Sequence, residues 1–248
     1  MSPLTLTVRD ASSELIDLAG LTPDALAGLD RNALAARSLA DGRRVDAVFD
    51  IAYGDPACMV IRPNGVALMH AGAGMRAGKL TIEGDAGDFA GRSMRGGTLV
   101  VNGNAGDFIG SGLPGDRQGM RGGTIVVLGN AGDRAGERMR RGLIVVAGSA
   151  GAYAGANMLA GTIVVAGTVG TMPGFGLKRG SLVLGQSPSH LPATFGDSGE
   201  HDLVFLTLLE KQLRREDALA GFPRLDRRAR RYCGDLACGG TGEILVLS

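Results

Sequence analysis

The chain has 248 residues, of which 44% are apolar and 21% charged, and its formal net charge is +1. These values are typical of a soluble globular protein and exclude a nucleic-acid binder that relies on bulk positive charge. Three cysteines exclude a secreted disulfide framework, and 42 glycines without a Gly-X-Y period exclude collagen.

The first 55 residues are predicted to be an N-terminal capping segment. The start, MSPLTLTVRD, lacks the regions of a signal peptide, and no apolar run of about 18 residues occurs, so we expect a cytoplasmic protein without a membrane partner. The predicted elements are a strand LTLTV (4–8), helices around PDALAGL and NALAARSLA, and a strand VDAVFDI (45–51). Thr22-Pro23 and Asn32 suit helix starts. Such a segment would cover the unpaired edge of a stack of strands.

Residues 56–185 contain a repeat, which we predict to be the main domain. Each unit reads Met-x-x-Gly, four strand-like residues, then Gly-polar-(Ala/Val)-Gly, and the units follow at 19 residues with one step of 26. The units start at Met75, Met94, Met120, Met139, Met158 and Leu177, with a fainter unit from Met59. The central runs are rich in β-branched residues and end at a glycine within five residues, which leaves no room for a helix. The spacing therefore predicts a parallel β-helix of about seven coils.

Alternation along these strands assigns their faces. The inward columns are Leu80/Ile82, Leu99/Val101, Ile125/Val127, Ile144/Val146, Ile163/Val165 and Leu182/Leu184, and the methionines that start the units should join them. The outward column is Thr81, Val100, Val126, Val145, Val164 and Val183. Five stacked valines are too apolar to face water, so we expect a cover from the chain's own terminal segments or from another subunit.

Two glycines flank a short polar residue at each corner. We interpret these glycines as positions of positive φ, or as positions where stacked backbones leave no space for a Cβ atom. The polar residues are predicted to hydrogen-bond their local backbone in Asx-type turns: Asp85, Asn104, Asn130, Ser149 and Thr168. This interpretation explains the motif without a ligand.

Two patterns that suggest ligands lack the necessary context. GAGMRA (72–77) matches a dinucleotide fingerprint, but a strand follows where the fingerprint needs a helix. The column Asp88, Asp107, Asp133 continues as Ala152, which argues against a ladder of calcium ligands. The sequence favours neither a nucleotide nor a calcium site.

The residues most often found in catalytic or metal sites are few. The histidines, His70, His190 and His201, are scattered along the chain. The spacing of Cys233 and Cys238 favours packing or free thiols over a metal site. We therefore predict no catalytic residue, no metal site and no cofactor bound by this chain.

The second coil carries seven extra residues within SGLPGDRQG (111–119). Because neighbouring coils leave no interior space, an insertion in one coil must project outward. Both a contact loop and a tolerated insertion remain open.

Residues 186–248 are predicted to form a C-terminal helix and an arginine-rich arm. The stretch 200–213 places Leu203, Leu206 and Leu209/Leu213 at helical spacing. From 214 to 231 there are seven arginines: Arg214, Arg215, Arg224, Arg227, Arg228, Arg230 and Arg231. The arm is interpreted either as a solvated, partly salt-bridged surface or as a docking arm for a polyanion.

The repeat over residues 59–185, with its Met-x-x-Gly-x-Ile-x-Val-x-Gly-(Asp/Asn)-Ala-Gly pattern, resembles the GXGXG-type β-helix domain. That domain ends the large subunit of glutamate synthase and forms the C subunit of formylmethanofuran dehydrogenases. With the N-terminal segment and the terminal RRYCGDLACGGTGEIL, the whole chain resembles a separate C subunit, as in the formyltransferase/hydrolase complex of methylotrophic bacteria. The resemblance implies an all-β fold: a single-stranded right-handed parallel β-helix with small helical terminal segments.

The same resemblance implies a non-catalytic structural subunit. In this family the partners are an amidohydrolase-like A subunit, a B subunit and a formyltransferase D subunit. The complex moves a formyl group from tetrahydromethanopterin to a methanofuran-type cofactor and hydrolyses it to formate. The alternatives are the C subunit of a molybdenum or tungsten formylmethanofuran dehydrogenase, a coupling domain like that of glutamate synthase, and an independent binding protein.

Two expectations follow from this resemblance and from the outward valines. Methanofuran-type cofactors carry a glutamate-rich anionic tail, and we predict that Arg227, Arg228, Arg230 and Arg231 guide that tail between sites. Because the valine column would be bare in an isolated chain, we also expect the chain alone to associate or precipitate.

Overall fold

The computed structural model describes residues 2–10, 15–215 and 224–248 and is mainly β. The N-terminal part contains β1 (Pro3–Val8), β2 (Leu15–Asp17), α1 (Pro23–Leu26), α2 (Arg31–Ala36), α3 (Val45–Val48), β3 (Phe49–Ala52), β4 (Asp55–Arg62) and β5 (Ala67–Met69). The central strands are β6 (Lys79–Ile82), β7 (Arg95–Val101), β8 (Arg121–Val127), β9 (Arg141–Val146), β10 (Thr162–Val165) and β11 (Ser181–Leu184). The C-terminal part contains β12 (Gly196–Asp202), α4 (Val204–Leu213), β13 (Arg228–Gly234), a 3₁₀ helix (Leu236–Cys238) and β14 (Gly242–Leu247).

In the described part of the chain, one large sheet dominates. Its strand order is β12-β13-β14-β11-β10-β9-β8-β7-β6-β4-β1-β3, and β2 pairs with β5 separately. The pairs from β1 through the central strands to β14 are parallel, whereas β3, β12 and β13 pair antiparallel at the two ends. Terminal strands from both ends of the sequence thus extend the central sheet. The predicted segment boundaries at 55/56 and 185/186 stay a prediction.

Equivalent positions of successive repeats pair directly. Leu80 lies opposite Leu99, Leu99 opposite Ile125, and Ile125 opposite Ile144. A second line of parallel bridges joins Ala86, Ala105, Ala131, Ala150 and Val169. Each repeat therefore contacts the next at two places on its circuit, and the repeats stack in register.

The predicted inward residues form the core. All members of the two aliphatic columns are fully buried, and so are Met75, Met94, Met120, Met139, Met158 and Leu177. The cluster continues into the N-terminal part through Leu6, Phe49 and Ile61. Burying a large aliphatic side chain contributes about 1.5–3 kcal/mol, so the columns are a main source of stability.

The outward valines are covered by the chain's own C-terminal segment. Val100, Val126, Val145, Val164 and Val183 are at most 2% exposed. They pack in a second cluster with Leu206, Leu209, Leu213, Leu225, Ala229 and Leu245. Thr81, one repeat before Val100, is only half-buried. The first of the two predicted covers is thus present, and the premise that the valines are bare in an isolated chain is wrong.

Corner glycines are required because the coils approach closely. Gly103, Gly106, Gly129 and Gly132 do not have positive φ. A Cβ atom on Gly132 would lie 2.8 Å from the carbonyl carbon of Gly106 in the preceding coil. Of the two predicted reasons for glycine, lack of space is the one that applies here.

The prediction of local Asx-type turns at these corners is wrong. The Asp85 carboxylate accepts a hydrogen bond from the backbone N–H of Asn104 at 2.6 Å, and Asn104 accepts from Asn130 at 2.9 Å. Asn130 and Ser149 continue the ladder. These side chains lie between stacked coils, so the nearest unpaired N–H belongs to the next coil and not to their own turn.

Three predicted element boundaries differ from the structure. Asp30, not Asn32, marks the start of α2, because the Asp30 carboxylate caps the N–H of Ala33 at 2.8 Å. Residues 45–48 of the predicted strand VDAVFDI form a helical turn, which buries Val45 and Val48 on one side. Residues 200–202 extend β12, because pairing with β13 satisfies their backbone, and α4 starts only at Val204.

Candidate functional site

The residues with reactive side chains are spread over the molecule. His70 Nδ1 lies 2.8 Å from the Asp17 carboxylate, and His201 Nε2 lies 3.0 Å from the Ser198 carbonyl oxygen. His190 is exposed on the surface. Among the described residues, no group of three or more His, Cys, Asp or Glu side chains is placed to hold a metal ion.

The other patterns considered for ligands have structural roles. Residues 72–77 form a turn that leads into β6. The carboxylates of Asp88, Asp107 and Asp133 each accept the backbone N–H of the next coil, at 2.7–2.8 Å. Ala152 ends this ladder because it donates its N–H to Asp133 but has no side-chain acceptor for the following repeat. Cys233 and Cys238 are free thiols, both partly buried.

The buried carboxylate of Asp235 anchors the C-terminal segment to the last coil. It is 3% exposed and accepts hydrogen bonds from the N–H groups of Gly176 and Ala237, each at 3.0 Å. Burial acts to raise the pKa of Asp235, but the hydrogen bonds from Thr194, Gly176 and Ala237 outweigh it and hold that pKa below its ordinary value. The group is thus a charged structural anchor.

The predicted arginine arm is largely paired within the chain. Arg227 binds Asp202 at 2.7 Å, Arg231 binds Glu243 at 2.8 Å, and Arg230 forms a two-pronged pair with Asp197. These pairs connect β13 to β12 and β14. Arg228 is exposed and forms no ion pair with another described residue. The part of the arm at 216–223 lies outside the described residues.

A second basic surface was missed by the sequence analysis. Arginines follow the methionines that start several repeats, at Arg95, Arg121, Arg140 and Arg141, and all four are exposed. Arg121 and Arg141 are register partners on β8 and β9. No carboxylate in the described ranges forms an ion pair with them. The Met-Arg dipeptide that starts several repeats is the sequence signal from which this basic surface could have been predicted.

An aromatic column runs along another side of the stack. Phe89 and Phe108 stack with ring centroids 4.9 Å apart, His70 lies 5.5 Å from Phe89, and the Arg134 guanidinium lies 4.9 Å from the Tyr153 ring. All five residues have φ between 57° and 61°, which costs a side-chain-bearing residue about 1 kcal/mol. Ring contacts worth about 0.5–1.5 kcal/mol offset that cost. The column is half-buried and stabilises the stack through its own contacts.

The insertion 111–119 is tied to the next coil. The Asp116 carboxylate accepts the N–H of Leu113 at 2.8 Å, and Arg138 donates to the Asp116 carbonyl oxygen at 2.6 Å. Leu113 remains 43% exposed. The loop is ordered by these bonds, and both predicted roles for it stay open.

The fold defines the class of protein: a stack of β repeats that pair in register along one large, mostly parallel sheet. No family model and no curated protein matches the sequence. Among solved structures, a chain of the formyltransferase/hydrolase complex (FhcABCD) from Methylorubrum extorquens, crystallised in complex with methylofuran, matches with a TM-score of 0.81 and 37% sequence identity. The match covers 98% of this chain and 99% of that chain.

This chain belongs to the family of that formyltransferase/hydrolase complex chain. No helix in the described ranges is both long and apolar enough to cross a membrane.

Proposed function

We propose that this chain is the structural C subunit of a formyltransferase/hydrolase complex and that it performs no chemistry itself. The observation that carries this proposal is the 37% identity to a chain of such a complex over nearly the full length of both. Identity at this level along all the coils supports the same place in an equivalent assembly.

We further propose that the stack is a single-stranded right-handed parallel β-helix of the GXGXG type. The in-register parallel strands and the second line of bridges support this. Coils in such a stack are about 4.8 Å apart, and each contacts its neighbours at fixed positions. Surfaces on different coils are then held at constant separations, as a scaffold requires.

The proposed partners are the amidohydrolase-like A subunit, the B subunit and the formyltransferase D subunit. The cytoplasmic complex would take a formyl group from formyl-tetrahydromethanopterin to a methanofuran-type cofactor and release it as formate by hydrolysis. This chain would hold the subunits in place while the carrier passes between their sites. Arg227, Arg228, Arg230 and Arg231 would guide the carrier's anionic tail.

The test is isolation of the native assembly through a tag on this chain, followed by mass spectrometry and assay of formyl transfer and hydrolysis. Copurification of amidohydrolase-like and formyltransferase chains with both activities is expected. Copurification of molybdenum or tungsten pterin subunits would replace the hydrolytic assignment with the dehydrogenase. A monodisperse monomer without partners would overturn the proposal.

A further inference from the structure

Helix α4 is apolar on two opposite sides. Leu206, Leu209 and Leu213 are buried against the valine column. Val204 and Leu208, on the other side, are 62% and 60% exposed. The outer side of a surface helix is normally polar, as at the exposed Lys211 and Gln212, so Val204 and Leu208 form an unusual apolar pair there. Within the described part of this chain, only one side of α4 has a cover.

The exposed side of α4 borders a groove. Its wall on the helix is formed by Phe205, which is 38% exposed, and by Leu208. The opposite wall consists of the first residues of β8–β10, including Thr124, Arg141 and Thr162. The groove therefore has an apolar side and, at Arg141, a basic side, and none of the described residues that line it is acidic.

The basic side has a charge arrangement that the described residues do not balance. Arg121 and Arg141 are register partners on adjacent strands, both exposed, without a carboxylate partner among the described residues. Like charges directly opposite each other in a sheet are destabilising. Arg227, Arg230 and Arg231, in contrast, each have a carboxylate partner in the chain.

We propose that this groove, with Phe205 and Leu208 on one side and Arg141 on the other, is the docking site of another subunit. Val204 and Arg121 are exposed next to it and extend the apolar and the basic side. The occupant presents an apolar ridge flanked by carboxylates. Aromatic and arginine side chains around an apolar centre are typical of protein interfaces. The inference rests on the proposed function, because it requires a heteromeric assembly.

A second copy of this chain fits the groove poorly. A two-fold interface brings the same patch of both copies together, and no described residue that lines the groove is acidic, so the groove of a second copy would offer these arginines no carboxylate. The charge arrangement thus selects a different, acidic chain as the occupant.

Zero-length cross-linking tests the charge complementarity directly. In the tagged native complex, R141K places an amine at the groove, and a carbodiimide joins an amine to a carboxylate at ion-pair distance. We expect a new cross-link from position 141 to an Asp or Glu of another subunit, absent from the wild type. R31K, at an exposed arginine of α2, is the matched control and should give no such link. A link only within this chain, or none, would overturn the proposal.

Disruption of the groove provides the second arm. R121E/R141E and L208S should each reduce the copurified subunits at least tenfold, whereas R31E and L236S, at exposed positions elsewhere, should leave them unchanged. Leu236 is 64% exposed, like Leu208. Thermal unfolding of each free variant checks its fold, and sedimentation of the free wild type tests for self-association. A wild-type dimer abolished by R121E/R141E would show that a second copy occupies the groove.

The outcomes separate the two proposals. If the wild type copurifies with the expected subunits and the groove variants do so equally well, the docking site is wrong and the proposed function stands. If the wild type brings down no partner, the proposed function fails.

Discussion

At the scale of single residues, the polar side chains of this protein mostly serve the backbone. Asp85, Asp88 and Asn104 each accept an N–H group from the next coil. Asp235 accepts two N–H groups while nearly fully buried. Water can replace the exposed acceptors Asp85 and Asn104, whereas the loss of the buried Asp235 acceptor costs more than one hydrogen bond's net contribution.

Asp235→Ala should lower the free energy of unfolding by about 1–3 kcal/mol at pH 7, because the N–H groups of Gly176 and Ala237 lose their acceptor. The pKa of Asp235 is depressed in the folded state, so its contribution is present above the unfolded pKa of about 3.9 and disappears as the pH falls through the folded pKa. Urea unfolding of both proteins at pH 7 and below pH 4 checks this.

The control for Asp235→Ala is Asp46→Asn. Asp46 pairs with Arg44 on the surface, and the Arg44 hydrogen bond lowers the pKa of Asp46. Loss of an exposed pair changes stability little. Equal effects of the two substitutions, or a difference from wild type that does not shrink in acid, would contradict the anchoring role of Asp235.

At the scale of elements, the coils and α4 depend on close contact. Corner glycines let adjacent coils meet without side chains between them, and α4 closes the outer face of the sheet with leucines. The same residue type recurs in successive repeats, so each arrangement forms a continuous line of contacts along the stack. The close approach at the corners and the packing of α4 can each be tested by adding or removing part of one side chain.

Gly132→Ala should destabilise the protein by about 1–3 kcal/mol, because the added methyl group would meet the backbone of Gly106 and Asp107 at 2.8–2.9 Å. Gly196→Ala is the matched control: it also lacks positive φ, and its added methyl would come no nearer than 3.9 Å to another atom. Its effect should stay within about 0.5 kcal/mol. Chemical denaturation of both variants measures the difference, and a neutral Gly132→Ala would refute the close approach.

Leu206→Ala should lower the free energy of unfolding by about 2–5 kcal/mol, since it leaves a cavity over the valine column. Leu208→Ala, two residues further along the same helix but exposed, should change it by about 0.5 kcal/mol or less. Comparable losses in urea unfolding would mean that α4 does not pack in the orientation described.

At the scale of the whole molecule, charge is distributed unevenly between paired and unpaired arginines. The strand-paired arginines near the C-terminus largely balance carboxylates of the same chain. Arg228 and the arginines at the strand starts do not, among the described residues. The net charge of +1 therefore hides separate surfaces with unbalanced positive charge.

Neutralising Arg227, Arg228, Arg230 and Arg231 together should raise the apparent Michaelis constant of the complex for the methanofuran-type carrier, most strongly at low salt. Arg228→Gln offers the cleaner variant, because it removes no ion pair found in the described residues. Steady-state kinetics at low and high salt, with subunit content checked, measure the effect. Unchanged kinetics in an intact complex would rule out the guiding role.

The spacing of the repeat made much of the fold predictable. The inward columns, the methionine column and the need for a cover over Val100–Val183 followed from alternation and apolarity, which act locally. The hydrogen-bond and ion-pair partners of the side chains did not follow from these local patterns. Alternation along the chain predicts a local turn for Asn104 and does not place Arg121 beside Arg141. The partner of Asn104 and the neighbour of Arg121 both depend on which residues the stacking of repeats brings together.

The sequence by itself determined the strand-and-corner repeat, its buried face and the family resemblance, because periodicity and residue type are written along the chain. Only the tertiary structure decided that α4 covers the valines and that corner side chains bridge successive repeats. It also decided that Arg227, Arg230 and Arg231 are paired, whereas no described carboxylate pairs with Arg121 or Arg141. Those outcomes depend on distances between residues far apart in sequence, which only the packed coils establish.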